Sequence, residues 1–122
     1  MKVLISTCYG GFSFSDELVE LWKERTGVTH DRNDDLIGKH DIPRDDATAI
    51  ALFEEIGSKR ASGSYAKVEL VEIPDEASYS IDEYDGFEDI DTYMTITKEQ
   101  LAKGFSPEEI EALSQVDSIR IN

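Results

Sequence analysis

The stretch from Lys2 to Gly27, KVLISTCYGGFSFSDELVELWKERTG, limits the possible folds more than any other. Residues 2–8, KVLISTC, form an apolar run too short for a core helix, so they read as a buried first strand. The run meets two adjacent glycines and then a helix start. Ser15, or Ser13 with Asp16 three residues on, can accept from the first free amides of that helix. Leu18, Leu21, Trp22 and Arg25 fall at helical spacing, and Gly27 is the stop. Trp22, the only tryptophan, reads as a core or interface residue. The chain therefore begins strand, glycine turn, capped helix.

Residues 28–43 are a polar loop carrying both histidines, His30 and His40. A second helix, ATAIALFEEIG, follows with Asp45 or Asp46 as its cap; Ile50, Phe53 and Ile56 lie on one stripe and Gly57 ends it. SKRASGS reads as a flexible turn with two adjacent cations. YAKVELVEI alternates as a central strand would and closes at Pro74-Asp75; ASYSIDEY reads as its hairpin partner, and Asp85-Gly86 as the next turn. Thr97 and Gln100 have capping-box spacing. Ser106, Pro107 and Glu109 mark the start of another short helix, and VDSIRIN reads as a terminal strand. The expected order is β-α-α-β-β-α-α-β. It corresponds to one α+β domain over residues 1–122, mostly antiparallel sheet with two main helices and two short C-terminal helices, without clear βαβ repetition.

Charge bears most directly on partners. Twelve Lys and Arg stand against 27 Asp and Glu, a net charge of −15. Such a field repels nucleic acid and anionic membrane and suits a basic protein partner or a solvated surface. From Val68 through Thr97 the chain has no Lys or Arg but ten acids: Glu69, Glu72, Asp75, Glu76, Asp82, Glu83, Asp85, Glu88, Asp89 and Asp91. No apolar run reaches the ~20 residues of a membrane span. The start MKVLISTCYGG lacks the pattern of a signal peptide. One cysteine cannot close an internal disulfide, so a reducing cytoplasm is the expected compartment.

Catalytic and metal chemistry find little footing. Asp31, Asn33 and Asp35 sit where a calcium loop places its first ligands, but Leu36 stands at the glycine position and Ile42 at the terminal glutamate position. His30 and His40 lack the close spacing of zinc ligands. There is no G-x-S-x-G elbow, and no histidine that the sequence can place beside Cys8. The chain reads as a non-enzyme with no catalytic residue, metal or cofactor. The turn CYGGF is the best candidate for a ligand: glycines allow close backbone approach, and a helix start offers free amides to an anion. Tyr9 and Phe12 flank it and can stack on a base. The alternative is that Gly10-Gly11 only turn the chain while the aromatics pack.

CYGGF near the start, RDD before the second helix, ASGSYAKVELVEIPDE and IDEYDG occur together and in order. On these segments the chain resembles a family of small, mostly uncharacterised bacteriophage proteins, over roughly residues 1–15 and 44–91. Members of that family end soon after the EYDG turn with a basic-aromatic tail; here DTYMTITKEQLAKGFSPEEIEALSQVDSIRIN follows instead. The resemblance implies action inside a bacterial host cytoplasm and leaves two routes by which small phage proteins counter host defence.

The first route is a non-catalytic sponge that sequesters a nucleotide immune signal, such as a cyclic oligonucleotide or a cyclised ADP-ribose, in a site shared between subunits of a homo-oligomer. Tyr9, Gly10, Gly11, Phe12 and Ser13 would supply amides and stacking, Arg44 and Arg60 would pair with phosphates, and Tyr84 and Asp85 would face base or ribose. The second route is an acidic inhibitor that occupies the basic, nucleic-acid-binding surface of a host enzyme, steered there by the hairpin acids.

Overall fold

The structure, a computed structural model, describes residues 1–122. Ten elements run in the order β1 (Lys2–Ser6), α1 (Asp16–Thr26), α2 (Ala47–Ile56), α3 (Ser58–Ala61), β2 (Val68–Glu72), β3 (Ser78–Tyr84), β4 (Phe87–Ile96), α4 (Lys98–Lys103), α5 (Pro107–Ser114) and β5 (Ser118–Ile121). The chain is an α+β protein with two sheets. β1 pairs antiparallel with β2, and β4 lies between β3, antiparallel, and β5, parallel.

The helix boundaries follow from local chemistry. Ser15 Oγ accepts from Leu18 N–H at 3.1 Å, choosing Ser15 over Ser13 as the cap of α1, and Gly27 closes that helix in the left-handed conformation. Asp46, not Asp45, caps α2: its Oδ2 accepts from Ala49 N–H at 2.9 Å and also from the Trp22 indole N–H at 2.8 Å, so one carboxylate caps α2 and fastens α1 to it. The Thr97–Gln100 capping box and the Ser106–Pro107 start of α5 are as the sequence indicates.

β1 separates two cores. Leu4 joins Phe14, Leu18, Trp22, Leu52 and Val68 on the helical side. Val3 and Ile5 face the other way, onto Ile73, Tyr79, Ile81 and Ile90. Alternation along a strand buried on both faces produces this two-sided packing. The sequence of layers is helices α1 to α3, then β1–β2, then β3–β4–β5.

Three sequence readings need correction. β3 is not the hairpin partner of β2: β2 pairs with β1, the Pro74 turn carries the chain to the second sheet, and β3 pairs with β4 across Asp85-Gly86. The acid-rich run FEDIDTYMTI is a ten-residue strand, β4, that the expected element order lacks. Residues 58–61, inside the supposed flexible turn, form the short helix α3. The C-terminal third is then a crossover, β4 to β5 through α4 and α5, and neither of these helices has a buried residue. No helix is long and apolar enough to cross a membrane.

Candidate functional site

The turn of residues 9–12 is fitted against two other segments of the chain. A Cβ on Gly10 would fall inside the carbonyl of Tyr65, and Cys8 Sγ donates to that same carbonyl oxygen at 2.9 Å. On the other side, a Cβ on Gly86 would meet the Tyr9 carbonyl and the Gly11 amide nitrogen. Asp85 at φ 51° and Gly86 at φ 90° make the tight two-residue turn that Asp-Gly favours between strands, and this turn abuts the Tyr9–Gly11 backbone. Gly10 and Gly86 are explained by chain meeting chain, and Gly11 by its φ of 83°. The larger surface clefts lie away from residues 9–12.

Arg44, expected to meet a phosphate, is instead paired within the fold. Its two terminal nitrogens donate to the two carboxylate oxygens of Glu88 at 2.6 and 2.8 Å, and its guanidinium lies 3.5 Å from the centroid of the Phe12 ring. Glu88 is buried and also accepts from Ser6 N–H at 2.8 Å. Leu4 N–H donates to the Arg44 carbonyl at 2.8 Å, and Arg44 Nη1 reaches the Leu4 carbonyl at 3.3 Å. The side of β1 away from β2 would otherwise present bare amides; Arg44 and Glu88 satisfy them. Phe12 packs edge-on against Phe14 beneath the guanidinium and is not a free stacking platform.

The remaining expected site residues divide into two places. Arg60 is apart: its guanidinium binds the Glu17 carboxylate in the first turn of α1, and its carbonyl accepts from Ser15 Oγ. Ser13 belongs to that side too, its carbonyl accepting from Gly63 N–H at 2.9 Å. Tyr9, Tyr84 and Asp85 do converge. The Tyr9 ring lies 5.4 Å from Phe87, and Phe87 is the cross-strand partner of Tyr84 at the end of the β3–β4 hairpin. Tyr65, whose Cβ lies against Gly10, joins them. Tyr9, Tyr65 and Tyr84 are 69%, 80% and 76% exposed and Phe87 is 37% exposed, so four exposed aromatic residues surround the Tyr9–Gly11 turn.

Next to this tip lies the outer face of the three-stranded sheet. Period-2 alternation sends Tyr79, Ile81, Glu88, Ile90 and Thr92 inward and puts Asp82, Asp89 and Asp91 outward, with Asp82 directly opposite Asp89 in register. A hydrogen bond with Asp82, reinforced by its charge and those of Asp117 and Asp89, raises the Asp91 pKa above its ordinary value. None of Asp82, Asp89 and Asp91 has a cation in an ion pair within the chain. Like charges held side by side on an open sheet face favour whatever neutralises them.

Sequence reasoning missed Tyr65, Phe87 and the role of Glu88. The inward phase of FEDIDTYMTI carried a signal for Glu88: it shares the buried side of β4 with Ile90 and Thr92, where an acid requires a cation. Compared with protein-family models, curated proteins and solved structures, the chain matches none.

Proposed function

We propose that this chain acts without catalysis as a protein-binding module, docking the aromatic tip and acidic outer face of its β3–β4 hairpin onto a basic surface of a partner protein. The observation that carries this reading is the gathering of Tyr9, Tyr65, Tyr84 and Phe87, all exposed, beside carboxylates that repel one another. Exposed aromatic clusters beside polar surface mark protein interfaces, where tyrosines supply much of the binding energy. Tyrosine faces and carboxylates together suit arginine, which can stack on the one and pair with the other. Within the roles that the phage resemblance allows, this is the inhibitor that covers a basic, nucleic-acid-binding surface of a host enzyme. The nucleotide-sponge reading asks the guanidinium beside residues 9–12 to bind phosphate, and Glu88 already holds it.

Fluorescence anisotropy with a labelled nona-arginine peptide tests the reading. Affinity is expected to fall steeply between about 50 and about 500 mM salt, as screening of exposed charges requires. In the variant Asp82→Asn/Asp89→Asn/Asp91→Asn it is expected to fall about tenfold or more at the lower salt. Equal affinity for wild type and the triple variant would remove the hairpin face as the docking surface.

A further inference from the structure

The chain's cations are not evenly spent. Arg44, Arg60, Lys2, Lys23, Arg25 and Lys103 each lie against an acid. A cleft of about 560 Å³ beside α3 and the following loop is different: it is lined by Lys59 and Lys67 together with Ser62, Gly63 and Ser64 among others, and by no acid. In a chain with 27 acids among 122 residues, a cleft with two lysines and no carboxylate departs from the general field. A second cleft of about 230 Å³ shares Ser62, Gly63 and Ser64 and adds Lys39, with Asp16 as its one acid. Neither Lys59 nor Lys39 has an ion-pair partner. Lys67 has only a loose one, Glu69 at 3.4 Å, with both side chains well exposed.

The loop also keeps donors in reserve. Ser58 Oγ and Ser62 Oγ spend their protons on the carbonyls of Val68 and Ser58. Ser64 Oγ makes no hydrogen bond within the chain, and the backbone amides of Ser64 and Tyr65 have no acceptor there, although their neighbours do: Gly63 N–H donates to Ser13 and Ala66 N–H to Gly63. Gly63 admits no side chain, because a Cβ would run into Ser13 Oγ. The free amide and free hydroxyl of Ser64, with flanking ammonium groups, are a donor set that a tetrahedral oxyanion accepts from.

We infer that the cleft formed by Lys59, Ser62, Gly63, Ser64 and Lys67, with Lys39 beside it, is a binding site for the phosphate group of a small phosphorylated molecule, separate from the hairpin tip. Its cations and donors offset the molecule's overall charge locally, which lets a dianion approach an acidic protein. The cleft exceeds what one phosphate fills and leaves room for the organic part of a phosphate ester.

Titration followed by amide NMR tests this with three probes at constant ionic strength: inorganic phosphate, a sugar monophosphate and a nucleoside monophosphate, with sodium chloride as the control. The expected result is saturable shifts at the Gly63 and Ser64 amides with at least one phosphate probe, and a Kd at least tenfold weaker in Lys59→Gln/Lys67→Gln. The probe that saturates at the lowest concentration identifies free phosphate or an ester as the source. Shifts that do not saturate, that chloride reproduces, or that persist unchanged in the double variant would overturn the site. Both substitutions are at the surface, and retention of the wild-type spectrum elsewhere verifies the fold.

Discussion

Arg44 and Glu88, 44 residues apart in the chain, close the open edge of β1 between them through two parallel hydrogen bonds of 2.6 and 2.8 Å. The pair joins all three layers: Arg44 lies just ahead of α2, Glu88 belongs to β4, and the amides they satisfy are Leu4 and Ser6 of β1. Removing one partner leaves the other charge without its counter-ion, and loss of Glu88 also strands the Ser6 amide.

Glu88→Ala is therefore expected to destabilise the protein by about 3 kcal/mol. Arg44→Lys loses the fork geometry and is expected to cost about 1 to 2 kcal/mol. Urea denaturation measures both. A double-mutant cycle with Arg44→Met and Glu88→Leu is expected to give a double loss smaller than the sum of the single ones. Additive losses would mean that the two residues act independently.

The two glycines of the turn predict unequal costs. Gly10→Ala forces its methyl into the Tyr65 carbonyl and moves backbone, costing about 2 to 3 kcal/mol. Gly11 has open space around it but sits at φ 83°, so Gly11→Ala meets only the conformational penalty of about 1 kcal/mol. Melting temperatures of the two variants should order Gly10→Ala well below Gly11→Ala. The opposite order would mean that the turn is not wedged against Tyr65.

Asp91 gives a pH dependence of definite sign. Its pKa is raised in the fold, chiefly by the hydrogen bond and charge of Asp82, so the folded state binds its proton more tightly than the unfolded chain does. The associated stability is fully present below the ordinary value of 3.8 and is lost as pH rises through the higher folded value. Asp91→Asn is accordingly expected to melt higher than wild type at pH 7, with the difference vanishing as pH falls below the ordinary value. Thermal unfolding across pH checks this, and a variant that melts lower at pH 7 would show that the outer face is not under repulsion.

The parts of the fold legible in the sequence were those decided within a few residues. Ser15, Thr97 and Ser106 cap helices because the accepting oxygen and the donating amide are local. Strand pairing was not local. VELVE alternates equally well beside either neighbour, and its choice of β1 is made by Leu4 and Leu70 sharing one core while Val3 and Val71 share the other. β4 is hard to read because three acids, Glu88, Asp89 and Asp91, which strands disfavour, crowd its first half. At the site, the sequence assigns Tyr9, Tyr84 and Asp85 to a nucleotide; what brings them together is the Asp85-Gly86 turn abutting the Tyr9–Gly11 backbone, a contact between distant segments that no local pattern encodes. The capture of Arg44 was not legible either, since ten acids between Val68 and Thr97 compete for the role that Glu88 fills.

The docking account rests on location as well as charge, because any peptide rich in arginine is drawn to a molecule of net charge −15. Substitutions that leave charge untouched isolate the aromatic contribution. Amide NMR titration of nona-arginine into wild type and into Tyr9→Ala/Tyr84→Ala, at about 150 mM salt where long-range attraction is screened, separates the two effects. The expected result is a set of saturating shifts confined to residues 9–12, Tyr65 and 82–91, with affinity about tenfold lower in the double variant. Shifts spread over every acidic surface, with equal affinity in both proteins, would contradict the account.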